Sequence, residues 1–162
     1  MRGTLAILGG VAGAAALSQF PEFSQQYLQR LGGQAEALSA VVAEFDAAAD
    51  VAGLTREAAL TQLQGSAFLD NHGNDMRSLI VRAEHAQADY ALLRAATPLE
   101  RLTLPQRFRD AEVLQATWGD FQPAVQLTPT GLTAAGIGFG LGWGLVLALA
   151  GLIMRPFRRR AV

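Results

Sequence analysis

Residues 130–154, TGLTAAGIGFGLGWGLVLALAGLIM, contain no charged side chain, and the chain is best read outward from them. As a helix at 1.5 Å per residue the stretch extends about 37 Å. That exceeds the roughly 30 Å hydrocarbon core of a bilayer, so it is expected to cross a membrane with some tilt. It is followed at once by Arg155, Arg158, Arg159 and Arg160. Arginines just beyond an apolar span favour the cytoplasmic side and attract anionic headgroups, so these four are assigned to topology and anionic-lipid contact.

The opposite end repeats the pattern. Residues 3–20, GTLAILGGVAGAAALSQF, are uncharged and reach about 27 Å as a helix, close to the minimum for a span. Two interpretations compete: a retained anchor, and a signal peptide with Ala14-Ala15-Ala16 as its small-residue cleavage site. The retained anchor is the expected form.

Charge divides the chain into the same parts. All 14 acidic residues lie between Glu22 and Asp120, where they meet 8 arginines, so the middle carries −6 and the two ends together +5. With two spans and an arginine-rich C-terminus, both termini are expected in the cytoplasm and the acidic middle in the periplasm of an inner membrane. The expected divisions are residues 1–20 as the first transmembrane helix, 21–128 as a periplasmic helical domain, 129–154 as the second transmembrane helix, and 155–162 as a basic tail. There is no cysteine, which excludes disulfides and thiolate chemistry, and no lysine.

Small residues recur every four positions within the apolar ends. Gly136, Gly140, Gly144 and Ala148 form one row, Gly138 and Gly142 a second, and Gly9 and Gly13 a third in the first span. Such rows let helices approach closely in lipid, where no hydrophobic effect drives their association. Gly9, Gly13, Gly136, Gly140, Gly144 and Ala148 are therefore the expected helix-packing residues, as in a glycine zipper. Replacing Gly140 by Ile is expected to weaken the contact.

The middle is expected to be all-α. Leu28, Leu31, Ala35, Leu38, Val42, Phe45 and Ala49 alternate spacings of three and four, a coiled-coil-like seam on a helix over residues 24–50. Pro21 is expected to kink or open this helix, and Ser18 or Ser24 to cap it. Gly53-Leu54-Thr55 marks a break, with Thr55 capping a short helix from Arg56 to about Gln64. The run Asp70-Asn71-His72-Gly73-Asn74-Asp75 is rich in turn formers, and a second long helix is expected to start within it and reach about Ala96. Met76, Leu79, Ala83, Ala86, Tyr90 and Leu93 would be its seam. A third helix is predicted from Pro105 to about Asp120, with Phe108, Ala111, Leu114, Trp118 and Phe121 on its apolar face; it is expected to close a three-helix bundle, the alternative being a helix on the membrane surface with Trp118 at the headgroups. The whole predicts two transmembrane helices flanking a periplasmic antiparallel hairpin or three-helix bundle.

No chemistry emerges from the motifs. His72 between Asp70 and Asp75 matches no zinc or calcium spacing, and His85 has no second histidine at i+4. No convergent acid, base or nucleophile is visible, no cofactor or metal is implied, and the arginines form no nucleic-acid stripe. The expectation is a non-enzymatic, membrane-anchored helical adaptor or accessory subunit of an envelope complex. The alternative is a homo-oligomeric channel or transport component built from the glycine-rich helices. Expected partners are membrane lipids and another membrane or periplasmic protein, or further copies of the chain through the spans. Phe20, Pro21, Phe23, Gln26, Tyr27 and Arg30 are the candidate contact surface, with a rigid joint after the first span as their other role.

The run Ala16-Leu17-Ser18-Gln19-Phe20-Pro21-Glu22-Phe23-Ser24-Gln25-Gln26-Tyr27-Leu28-Gln29-Arg30-Leu31-Gly32-Gly33 resembles an uncharacterised proteobacterial family, the DUF2937 family. The run Phe121-Gln122-Pro123-Ala124-Val125-Gln126-Leu127-Thr128-Pro129-Thr130-Gly131-Leu132 is similar to that family's approach to its last span. The resemblance implies a bacterial envelope protein and carries no activity and no assigned site.

Overall fold

The structure, a computed structural model, describes residues 2–123 and 128–158. Six α-helices follow in order: α1 (Arg2–Ser18), α2 (Phe20–Val51), α3 (Arg56–Gln62), α4 (Ala67–Ala95), α5 (Ala111–Asp120) and α6 (Pro129–Arg158). Two short 3₁₀ turns, Glu100–Thr103 and Pro105–Arg107, precede α5, and no strand occurs among the described residues. The chain forms two compact units. One comprises residues 1–25, 98–103 and 118–162, and the other residues 26–97 and 104–117.

In the first unit α1 and α6 pack along each other. Two helical stretches, Gly3–Val51 and Pro129–Ile153, contain segments long and apolar enough to cross a membrane. A single turn residue, Gln19, separates α1 from α2. Pro21 lacks an N–H and so leaves the Leu17 carbonyl without its i+4 donor. The two serines expected as caps do something else. Ser18 Oγ donates back to the Ala15 carbonyl (2.9 Å) and buried Ser24 Oγ to the Pro21 carbonyl (2.9 Å).

The second unit is built on the expected seam of α2. Tyr27, Leu28, Leu31 and Ala35 form its core with Ala86, Leu93 and Val113, and Leu38, Tyr90, Leu104 and Phe108 pack around them. Gly32 leaves room for the Tyr90 ring, whose edge a Cβ there would meet at 2.7 Å. Three residues before Tyr90, Gln87 reaches Ser39. Partner numbers in α4 thus fall as α2 advances, the antiparallel sense. α2 ends at Gly53, whose φ of +69° only glycine adopts freely. There the Leu54 N–H closes on the Ala49 carbonyl at 2.9 Å, a Schellman-type 6→1 bond.

The polar run departs from expectation. Asp70–Asp75 lies inside α4, whose N-cap is Ser66, accepting from the Leu69 N–H. Asp70 supports the cap from within the first turn by accepting from the Gly65 N–H at 3.1 Å. Gly73 is buried because the Leu63 carbonyl beyond α3 lies where its Cβ would be, at 2.8 Å. The residue that looked like a turn former is a packing glycine.

The third helix is shorter than predicted. Pro105 starts only a 3₁₀ turn, and α5 begins at Ala111 because Asp110 Oδ1 accepts from the N–H groups of Glu112 and Val113, both at 3.1 Å. The buried face also differs from the expected one. Val113 and Thr117 are buried, whereas the expected Leu114 and Trp118 are exposed. Residues 124–127, before α6, lie outside the described residues.

Leu93 is wholly buried at the centre of the second unit. Leu93→Ala should lower stability by about 2–5 kcal/mol through lost transfer energy and a residual cavity. Denaturant unfolding of the full-length protein in detergent, followed by circular dichroism, checks this.

Candidate functional site

Two places concentrate unusual chemistry, one in each unit, and each is described by itself.

In the first unit the contact between α1 and α6 is made by backbone. A Cβ on Gly13 would collide with the Gly138 carbonyl oxygen and lie 3.3 Å from Gly142 Cα. One on Gly9 would lie 3.0 Å from the Gly142 carbonyl oxygen, and one on Gly10 would strike the Phe139 ring. The helices therefore run antiparallel, Gly9 against Gly142 and Gly13 against Gly138. Ala6 and Ala134 are wholly buried on the same pair. At this separation Cα–H···O contacts become available.

Not every expected packing residue takes part. A Cβ on Gly136, Gly140 or Gly144 would meet nothing within 4 Å, and Ala148 is exposed. The reason is helical geometry. Residues two apart lie about 200° apart around a helix, so when Gly138 and Gly142 face α1 the Gly136 row faces away. The sequence carried both rows, and the less prominent one meets the partner helix. Of the arginines assigned to topology and lipid, Arg155 and Arg158 fall within the last turns of α6, and Arg159 and Arg160 lie outside the described residues.

The expected contact surface is largely interior. Pro21 is buried and Tyr27 has no exposed surface. Phe20, Phe23 and Gln26 are half-buried, and only Arg30 is exposed. Tyr27 stacks at a tilt on Phe108, with centroids 4.7 Å apart. Its buried hydroxyl lies near the Asp110 backbone amide without a hydrogen bond of normal geometry. Burial, reinforced by the Asp110 and Asp89 carboxylates, pushes the phenol up to about 12. Such a group is a core element and neither a partner contact nor a base at neutral pH. Phe23 packs edge-on against Trp118 and Phe121 within the first unit.

The first unit also buries Arg101, 4% exposed. Its Nη1 donates to Gln25 Oε1 at 3.1 Å and approaches Ser24 Oγ at 3.5 Å. Desolvation draws its pKa below the ordinary arginine value. Nothing in the local sequence, Leu99-Glu100-Arg101-Leu102, distinguishes this arginine from its neighbours.

The second unit has an open cleft of about 510 Å³ lined by residues of α2, α4 and the segment before α5, among them Arg82, His85, Asp89 and Arg109. Asp89 is the organising group. It is only 3% exposed although the seam pattern does not include it. Arg109 Nε donates to its Oδ2 at 2.6 Å and Arg107 Nη1 to its Oδ1 at 3.1 Å. Arg82 pairs with Glu112 and lies 3.5 Å from Asp110 Oδ2. Arg77 donates to Glu57 at 2.7 Å. Every guanidinium bordering the cleft thus faces a carboxylate of the chain itself, and the arrangement is electrically compensated. At the far end of α2, Arg56 engages Asp46 through two N–H groups. That pairing holds the Asp46 carboxyl below its ordinary pKa, so its contribution is present at neutral pH and lost as pH falls through the depressed value.

Among the described residues no cluster of three metal-ligating side chains exists. His72 is stacked on Phe68 along α4. The arrangement supplies rigidity and charge balance, with geometry suited to holding three helical segments together.

Two substitution pairs separate these roles. Gly13→Leu or Gly138→Leu should force α1 and α6 apart and lower the thermal midpoint in detergent, while Gly140→Leu should leave it unchanged. Asp89→Asn should cost about 1–3 kcal/mol, the range for hydrogen bonds to a charged group. Glu57→Gln, at an exposed pair, should cost under about 1 kcal/mol. Denaturant midpoints of the full-length variants check the second pair.

No curated protein and no solved structure matches the chain. A family model described as a protein of unknown function, DUF2937, matches residues 1–159. With the match running over both apolar helices and everything between them, the chain belongs to the DUF2937 family.

Proposed function

We propose that this protein is a membrane-anchored helical adaptor or accessory subunit of a bacterial envelope complex. In this reading α1 and α6 cross the inner membrane as a packed pair, both termini face the cytoplasm, and the acidic helical region between them occupies the periplasm.

The observation that carries the reading is the division of labour on the two apolar helices. Their mutual contact centres on glycine and alanine, with Val146 and Phe139 fitted over Gly9 and Gly10, and most of their other large apolar side chains face outward. Leu8 and Leu145 are each 61% exposed, and Leu5, Ile7, Val11, Leu141, Leu149, Leu152 and Ile153 are exposed beside them. Such a continuous apolar surface is a liability in water and a requirement in hydrocarbon. The four terminal arginines support the cytoplasmic assignment of that end, and the −6 charge of the middle is consistent with export. The adaptor role draws support from the second unit, where arginine–carboxylate pairs join α2, α3, α4 and α5 segments into a braced body.

Topology is tested by fusions to the full-length protein. Alkaline phosphatase inserted in the Gly53 turn should be active, and the same reporter at either terminus should not be. Activity at one terminus, or extraction of the protein by alkaline carbonate, would overturn the anchored topology. The adaptor role is tested by a photo-crosslinking residue in place of exposed Arg30 in native membranes. Adducts with a different polypeptide are expected, whereas adducts spaced only by multiples of this chain's mass would favour the channel alternative.

A further inference from the structure

Among the described side chains of the first unit, three aromatic rings lie outside both apolar stretches. Phe23, on the first turns of α2, meets Trp118 edge-on with centroids 5.9 Å apart and planes at 68°. It meets Phe121 in the same manner at 5.6 Å and 80°. Phe23 is the shared centre, and Trp118 is 73% exposed. A large amphipathic ring held edge-on by Phe23 and otherwise mostly exposed calls for an occupant.

The glycine register identifies that occupant. With Gly9 against Gly142 and Gly13 against Gly138, the same antiparallel register continued by two helical turns brings Pro21-Glu22 level with Pro129-Thr130. Glu22 is the first charged residue after the N-terminal apolar stretch, and Pro129 opens α6. Phe23 and its two partners thus belong to the level at which both apolar helices end. A hydrocarbon layer of about 30 Å beginning at Gly131 finishes near Gly151. Trp143, the other tryptophan, then lies close to the bilayer midplane, roughly 20 Å along the axis from Pro129.

We propose that Phe23, Trp118 and Phe121 form an aromatic anchor seated in the headgroup and glycerol layer of the membrane, at the end of the helix pair remote from the chain termini. The chemistry fits this layer. Indole presents an apolar body to acyl chains and an N–H donor to headgroup oxygens, which is why tryptophan collects at membrane–water interfaces. Glu22 and Asp120 beside the rings disfavour attraction by anionic lipid, so aromatic partitioning is the source of the contact. The inference rests on the two-span reading and adds to it a defined depth for one end of the pair.

The two tryptophans give a test that separates the two ideas. Full-length protein is reconstituted in phosphatidylcholine vesicles as Trp143→Phe, leaving Trp118, and as Trp118→Phe, leaving Trp143. Bromine-labelled lipids with the label near the glycerol or near the chain end serve as quenchers, and iodide serves as the aqueous quencher. Trp118 should emit to the blue of a water-exposed indole and be quenched more by the shallow label than by the deep one. Trp143 should show the reverse order. Strong iodide quenching of Trp118 without lipid quenching would overturn the proposal, as would protection of Trp118 from both quenchers, which would place it against protein. If Trp143 keeps its deep-label quenching in those cases, the spans stand and only the anchor fails. Loss of lipid quenching for both tryptophans would remove the spans as well.

Discussion

The structure depends on backbone meeting backbone between α1 and α6. Gly9 and Gly13 lie against Gly142 and Gly138 with no side chain between them. An alanine at any of these positions would need space that a carbonyl or a neighbouring Cα occupies. In hydrocarbon, apolar side chains gain nothing by leaving lipid for one another, so close approach and dispersion must supply the attraction. The glycines make that possible, with Val146, Phe139 and Leu17 packed over Gly9, Gly10 and Gly138, and leave most other large apolar side chains to face outward. The apolar surface of the pair follows from the same choice, since small residues inside leave leucine, isoleucine and valine for the outside.

The second unit solves a different problem. Its helices are narrow-seamed, and several core positions are alanine, which buries little area. Aromatic and ionic contacts complete it. Tyr27 and Phe108 fill the space near one end of the seam, and Asp89 draws Arg107 and Arg109 onto α4 from the segment before α5. A carboxylate this buried is tolerated because two guanidinium groups satisfy both of its oxygens. Exclusive use of arginine suits such pairing, since its planar fork holds a carboxylate in a fixed orientation as lysine cannot.

A protein so constructed devotes its chemistry to holding helices in place. The charged groups of the cleft are engaged with one another. The phenol of Tyr27 is held neutral by burial, and the histidines lie along α4. Among the features left facing outward are apolar side chains along α1 and α6 and an exposed tryptophan in the same unit.

Local sequence determined much of this. Uncharged length alone marks α1 and α6, because no other property is needed for a helix to tolerate hydrocarbon. The three-four spacing from Leu28 to Ala49 marks the buried side of α2, since helical periodicity acts through neighbours only three and four residues away. Thr55 and the Gly53 break are equally local. What tertiary structure decided is which of two equivalent patterns is used. Both glycine rows of α6 satisfy the four-residue rule, and only the partner helix selects Gly138 and Gly142. Asp110 rather than Pro105 starts α5, and Val113 and Thr117 rather than Leu114 and Trp118 are its buried residues. Asp89 and Arg101 look like surface charges until distant residues enclose them. Burial is a property of what the rest of the chain brings close, and no short stretch of sequence contains that information.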